Sequence, residues 1–116
     1  AAMDHVQFLK PFHLQDSMCM EAYVTGLGHR SLEVFVKVIG EHLRTGERFL
    51  GFTCLMTYVI QDPTEQVLYD ELVPTTDEQR TLVGGYRRRR SHRAANRQAQ
   101  QELLGAITIK KPWEEA

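Results

Sequence analysis

Between Ser17 and Ile60 the chain keeps one hydrophobic period, and that period is two. In SMCMEAYVT, Met18, Met20, Ala22 and Val24 alternate with Ser17, Cys19, Glu21, Tyr23 and Thr25. In SLEVFVKVIGE, Leu32, Val34, Val36 and Val38 share one face, and Glu33, Phe35, Lys37, Ile39 and Glu41 take the other. Side chains of a strand point alternately to its two faces, so each run predicts a strand with one dry side, and the β-branched residues reinforce it. GLGH at Gly26 to His29 supplies glycines for a tight turn, which makes the two runs a hairpin. RTGE at Arg44 to Glu47 turns the chain again, into a run where Phe52, Cys54, Met56, Tyr58 and Ile60 continue the apolar face. The result is an antiparallel meander. MDHVQFLKP adds a further strand, ended by Pro11, which has no N–H to give to a ladder.

A four-stranded sheet with a continuous apolar face needs a greasy cover, since exposed patches beyond a few hundred Å² are rare on monomers. Pro63 stops the last strand, and Pro74 ends an acidic loop. From Thr76, TTDEQ offers an N-cap with acids in the first turn, and a helix follows to about Leu104, interrupted at Gly84-Gly85. That helix cannot be the cover. Leu82, Val83, Tyr86, Leu103 and Leu104 are too scattered, and its middle is arginine on nearly every side. The expectation is that a partner subunit or an upstream segment supplies an apolar helix.

Its arginines raise a second question. YRRRRSHRAANR, Tyr86 to Arg97, holds six arginines in twelve residues and no acid; with the whole chain at −1, the other 104 residues carry −7. Such asymmetry points to an anionic partner: nucleic acid, membrane, or the phosphates of a cofactor. The 116 residues suffice for one domain. The longest mostly apolar stretch, around FTCLMTYVI, is far short of the ~20 residues that span a bilayer, and Asp4 stands where a signal peptide is basic or apolar. A cytoplasmic protein with no membrane role is expected. Cys19 and Cys54 are far apart, with no C-x-x-C and no histidine at zinc spacing, so both are expected to be buried thiols and no metal site is indicated.

The segment DHVQFLKPFHLQDSMCMEAYVTGLGHRSLEVFVKVIGEHLRTGER resembles the hotdog-fold acyl-CoA thioesterases of the cytosolic acyl-CoA hydrolase group. The similarity lies in the order of a strand ending F-x-x-P, a turn before Asp16, a hairpin end followed by Leu-Glu-Val, and a late T-G-E turn, and it runs from about Ala1 to Asp62. Gln15 departs from it, standing where relatives commonly have glycine. The resemblance implies an α+β hotdog fold, an antiparallel sheet wrapping a central helix that this chain lacks. Residues 1–75 would be the sheet portion and 76–116 a basic C-terminal extension. It implies hydrolysis of acyl-CoA to fatty acid and CoA, with CoA as part of the substrate and no separate cofactor. It also implies homo-oligomers, a dimer of hotdogs or a trimer of dimers. The catalytic carboxylate or amide of the family falls in an upstream part, and Asp4, Glu21 and Glu33 do not match it, so catalytic residues stay unknown.

The same resemblance places His29, Arg30 and Ser31 at the nucleotide-contacting turn, and Ala1 and Ala2 on the strand beside the pantetheine arm. Taken alone, the turn reads as an ordinary solvated one. Arginine forks suit the pyrophosphate and 3′-phosphate of CoA. Four consecutive arginines fan around a helix at ~100° per residue, so at most two meet one phosphate, and register with the family's extension selects Arg89 or Arg90. A Cys19 nucleophile finds no histidine at a pairing distance in sequence, and Lys37, flanked by Glu33 and Glu41 on one strand face, is expected to be a cross-strand ion-pair partner and not a catalytic base. Two other readings stay open: a nucleic-acid-binding module using the arginine helix, disfavoured by the acidic remainder and the missing aromatic platform, and a non-catalytic hotdog assembly module.

Overall fold

The computed structural model describes residues 2–66 and 71–114. The chain divides into two compact units, Ala1–Gly84 and Gly85–Ala116. In the first, strands β1 (Ala2–Phe8), β2 (Asp16–Leu27), β3 (Ser31–His42) and β4 (Arg48–Val59) form an antiparallel sheet in the order β1-β4-β3-β2, followed by helix α1 (Asp77–Gly84). The second holds helix α2 (Tyr86–Ala106) and a short 3-10 turn at Pro112–Glu114. The predicted meander is there, and the predicted helix breaks at Gly85.

Register gives the sheet two chemically different faces. Met20, Val38, Phe52 and Phe8 line up across all four strands, as do Val24, Val34, Met56 and Met3 two steps along. Between the two rows lie Ala22, Val36 and Cys54. This apolar face is buried at its centre, at Val36, Val38 and Cys54, and bare toward its edges, where Met20 is 69% and Phe8 84% exposed. The opposite face carries Glu21, Lys37, Thr53 and Gln7 in one row and Tyr23, Phe35, Leu55 and Asp4 in the next.

Helix α1 covers part of this polar face. Thr76 caps it, its hydroxyl accepting the Gln79 N–H at 3.1 Å, while the Gln79 amide oxygen accepts the Thr75 N–H at 2.8 Å. Glu78 ties the helix to the sheet. It accepts the Tyr23 hydroxyl at 2.6 Å and the Lys37 ammonium at 2.8 Å, and Lys37 also pairs with Glu21 at 3.3 Å. Lys37 is thus an ion-pair residue as expected, with Glu21 and Glu78 as its partners.

Two departures from the sequence reading have plain causes. Cys54 is buried, but Cys19 is exposed, because β2 is an edge strand and its middle lacks a cover among the described residues. The chain reverses at Gly28 to Ser31, where the Gly28 N–H donates to the Ser31 carbonyl at 2.8 Å. Gly26, read as part of the turn, instead lies within β2 opposite Glu33.

Candidate functional site

The β2–β3 turn sits where three strands end. Its Arg30 carbonyl accepts the Ile60 N–H at 2.8 Å, and the Arg30 guanidinium donates back to the Ile60 carbonyl at 2.7 Å. Arg30 therefore clamps the end of β4 instead of reaching outward, and its Nε is buried without a partner among the described residues. His29 is exposed at the tip and Ser31 is half-buried. Of the three turn residues, His29 and Ser31 are the ones free to meet a ligand. Ala2 lies on the exposed edge strand β1, opposite Thr57, and Ala1 falls outside the described residues.

Behind the turn lies a pair that alternation alone does not reveal. Val24 pairs with Val34, yet Gly26 pairs with Glu33, so Thr25 is the extra residue of a β-bulge. The Thr25 hydroxyl donates to the Glu33 carboxylate at 2.6 Å, and both residues are 0% exposed.

A second bulge shapes the apolar face. Val38 pairs with Phe52 and Ile39 with Leu50, leaving Gly51 as the inserted residue, and its carbonyl accepts the Leu9 N–H at 2.8 Å. The Phe12 ring packs so closely on Gly51 that a Cβ there would sit 2.3 Å from it. Phe12 also leans on Phe49 at 5.2 Å. Beside this packing the face opens into a concavity of about 650 Å³, lined by Phe8, Leu9, Phe12, Met18, Met20 and Phe52 among others. Apolar except for Lys10 in its lining, it suits a hydrocarbon chain or an apolar side of protein.

At the other end of the sheet Asp16 and His42 face each other in register, joined at 2.7 Å, and the His13 N–H donates to the second carboxylate oxygen at 2.8 Å. The His13 amide and the His42 ring together hold the Asp16 carboxyl below the ordinary aspartate range. Each loop end is thereby secured. Among the described residues no cluster of His, Cys, Asp or Glu is placed to hold a metal ion, and no helix is long and apolar enough to cross a membrane.

In the second unit, α2 begins Tyr-Arg-Arg-Arg with no acid in its first turn and no side-chain cap at Gly85. The positive end of the helix dipole and the arginines repel each other there, so an anion at this end relieves both. Arg89 is half-buried and engaged within the protein, and Arg90 is exposed.

Residues 1–47 match the sequence model of the Thioesterase superfamily. The chain is 44% identical over 114 residues to a Bacillus subtilis (strain 168) protein named "Uncharacterized acyl-CoA thioester hydrolase YkhA", covering 97% of this chain and 66% of that protein. This chain thus spans just under two thirds of that relative's length. The crystal structure of an acyl-CoA hydrolase from Bacillus cereus superimposes with a TM-score of 0.82 at 29% identity, over 94% of this chain and 67% of that one. A structure described as an apo-hexameric acyl-CoA thioesterase gives 0.73 at 30% identity, over 83% of this chain and 62% of that one.

Proposed function

The chain belongs to the Thioesterase superfamily, among the hotdog-fold acyl-CoA hydrolases, and from that premise we propose that it serves the hydrolysis of acyl-CoA to a free carboxylic acid and CoA. The single observation that carries this reading is the 44% identity that continues across the sheet and both helices to the relative named as an acyl-CoA thioester hydrolase. The geometry agrees with it. An apolar concavity for hydrocarbon and a turn with an exposed imidazole lie on the same sheet, and acyl-CoA is a ligand with one greasy and one phosphorylated end.

In this reading the chain's own residues grip the coenzyme. His29 and Ser31 meet the nucleotide at the turn that Arg30 braces, and Ala2 lies along the pantetheine arm; the arginine run of α2 is a separate phosphate contact, through Arg89 or Arg90. The acyl chain occupies apolar surface. No residue here is assigned the water-activating role, and the protein works as a homo-oligomer that completes its site.

Thiol release from acyl-CoA tests the activity, using protein expressed from its complete reading frame. Hydrolysis that depends on acyl-CoA supports the proposal, and its absence for every chain length refutes it. Dephospho-CoA isolates the arginines. A charge-assisted hydrogen bond to phosphate is worth ~1.5–3 kcal/mol, so replacing Arg89 and Arg90 with alanine should weaken CoA binding at least tenfold and dephospho-CoA binding far less. Equal losses for both ligands move the contact to the pyrophosphate. Salt-sensitive RNA binding abolished by the same change assigns the segment to nucleic acid.

A further inference from the structure

The Thr25–Glu33 pair has no place in the chemistry above, yet it is the most deeply buried polar contact of the sheet. A hydroxyl and a carboxylate, both at 0% exposure and 2.6 Å apart, sit at the bulge immediately before the β2–β3 turn. Two apolar residues of similar volume would hold these strands together at least as well, because burying an ionisable group is costly. What apolar residues would not do is choose a register. Side chains of a strand alternate, so a slip of one residue swings Thr25 to the apolar face and leaves Glu33 without its hydroxyl. The bond forms in one register, with Thr25 and Gly26 together opposite Glu33.

That register decides the turn. From Gly26 opposite Glu33 the next pair is Leu27 with Leu32, and the chain then closes through the Gly28 N–H to the Ser31 carbonyl. Only with the reversal at this point does Arg30 lie against the end of β4, exchanging hydrogen bonds with Ile60 in both directions. His29 is thereby left at the tip. A bulge re-aims the strand that carries it, and here the re-aimed element is the turn.

We propose that Thr25 and Glu33 are positioning residues for coenzyme recognition, fixing the turn from Gly28 to Ser31 in the orientation that meets the CoA nucleotide. The proposal rests on the reading of that turn as the nucleotide contact. Neither side chain touches ligand. Their effect passes through the backbone of the bulge to His29 and Ser31.

The test uses Thr25→Val, which keeps the β-branched shape and removes the hydroxyl, and Glu33→Gln, which keeps an acceptor for it. Both are made in protein expressed from the complete reading frame and compared for cooperative melting, CoA affinity, acyl-CoA hydrolysis and amide exchange at residues 26–31. Thr25→Val should raise Kd for CoA and KM for acyl-CoA roughly tenfold with kcat within about twofold, and speed exchange in the turn by a similar factor. Glu33→Gln, with the acceptor kept, should leave both near the unaltered values. A folded Thr25→Val protein with unchanged affinity overturns the proposal, and so does a Glu33→Gln protein that loses as much as Thr25→Val. Should the unaltered protein fail to bind CoA, the functional reading falls, and exchange alone then decides: a turn no faster in Thr25→Val removes the positioning role as well.

Discussion

Gly51 leaves no room for a side chain. A Cβ there would lie 2.3 Å from the Phe12 ring, well inside any real contact, and the glycine sits at a bulge whose carbonyl also anchors Leu9. Gly51→Ala should therefore push Phe12 off its seat and destabilise the sheet by about 1–3 kcal/mol, the usual range for overpacking. A thermal melt measures it. Combining the change with Phe12→Ala should give less than the sum of the two single effects, because the clash is gone, and strict additivity would show that the ring is not the obstacle. Ser31 offers a functional counterpart. As a half-buried member of the turn, Ser31→Trp should raise KM for acyl-CoA by crowding the nucleotide, and an unaltered KM would remove the turn from the site.

At the scale of elements, α1 is held by Glu78. The Lys37 ammonium and the Tyr23 hydroxyl both donate to it and keep its carboxyl below the ordinary glutamate range, while burial and that same carboxylate push Tyr23 up. A carboxylate with a depressed folded pKa contributes stability above its unfolded value and loses it as pH falls through the folded one. The docking of α1 should accordingly weaken in acid below the ordinary glutamate range. Glu78→Gln should flatten that dependence and cost roughly 0.5–1 kcal/mol at neutral pH, modest because Glu78 is partly solvated. Acid titration of Tyr23 fluorescence or of exchange in α1 reads it. None of this was visible in the sequence, where Lys37 could be seen as an ion-pair residue but Glu78 stands 41 positions away. Strands were legible because a period of two is local. Bulges were not, since Thr25 and Gly51 are marked only by a cross-strand count, and with the bulge went the Thr25–Glu33 pair and the true place of the turn. Cys19 was misjudged because sequence alternation tells which face a residue is on, and strand order tells whether that strand is at an edge.

For the whole molecule the apolar face dominates. Phe8, Met18, Met20 and Met3 stand open along it, and their burial at ~25 cal/mol per Å² is the largest stabilising term still to be gained. These 116 residues alone should self-associate or bind an apolar-surface dye; a cooperative, monomeric melt without dye binding would count against an uncovered face. The strand order carries a consequence for how the sheet comes together. Leu27 meets Leu32 and Glu41 meets Arg48 across short turns, whereas Phe8 must find Phe52. Closing that longer loop costs roughly 2 kcal/mol more chain entropy than closing the hairpins, by the logarithmic dependence on length. The three-stranded meander therefore nucleates, and β1, exposed along nearly its whole length, zips on afterwards. Substitutions in β1 should then accelerate unfolding while leaving the refolding rate almost untouched, so this edge sets how long the folded sheet survives and the meander sets how fast it forms.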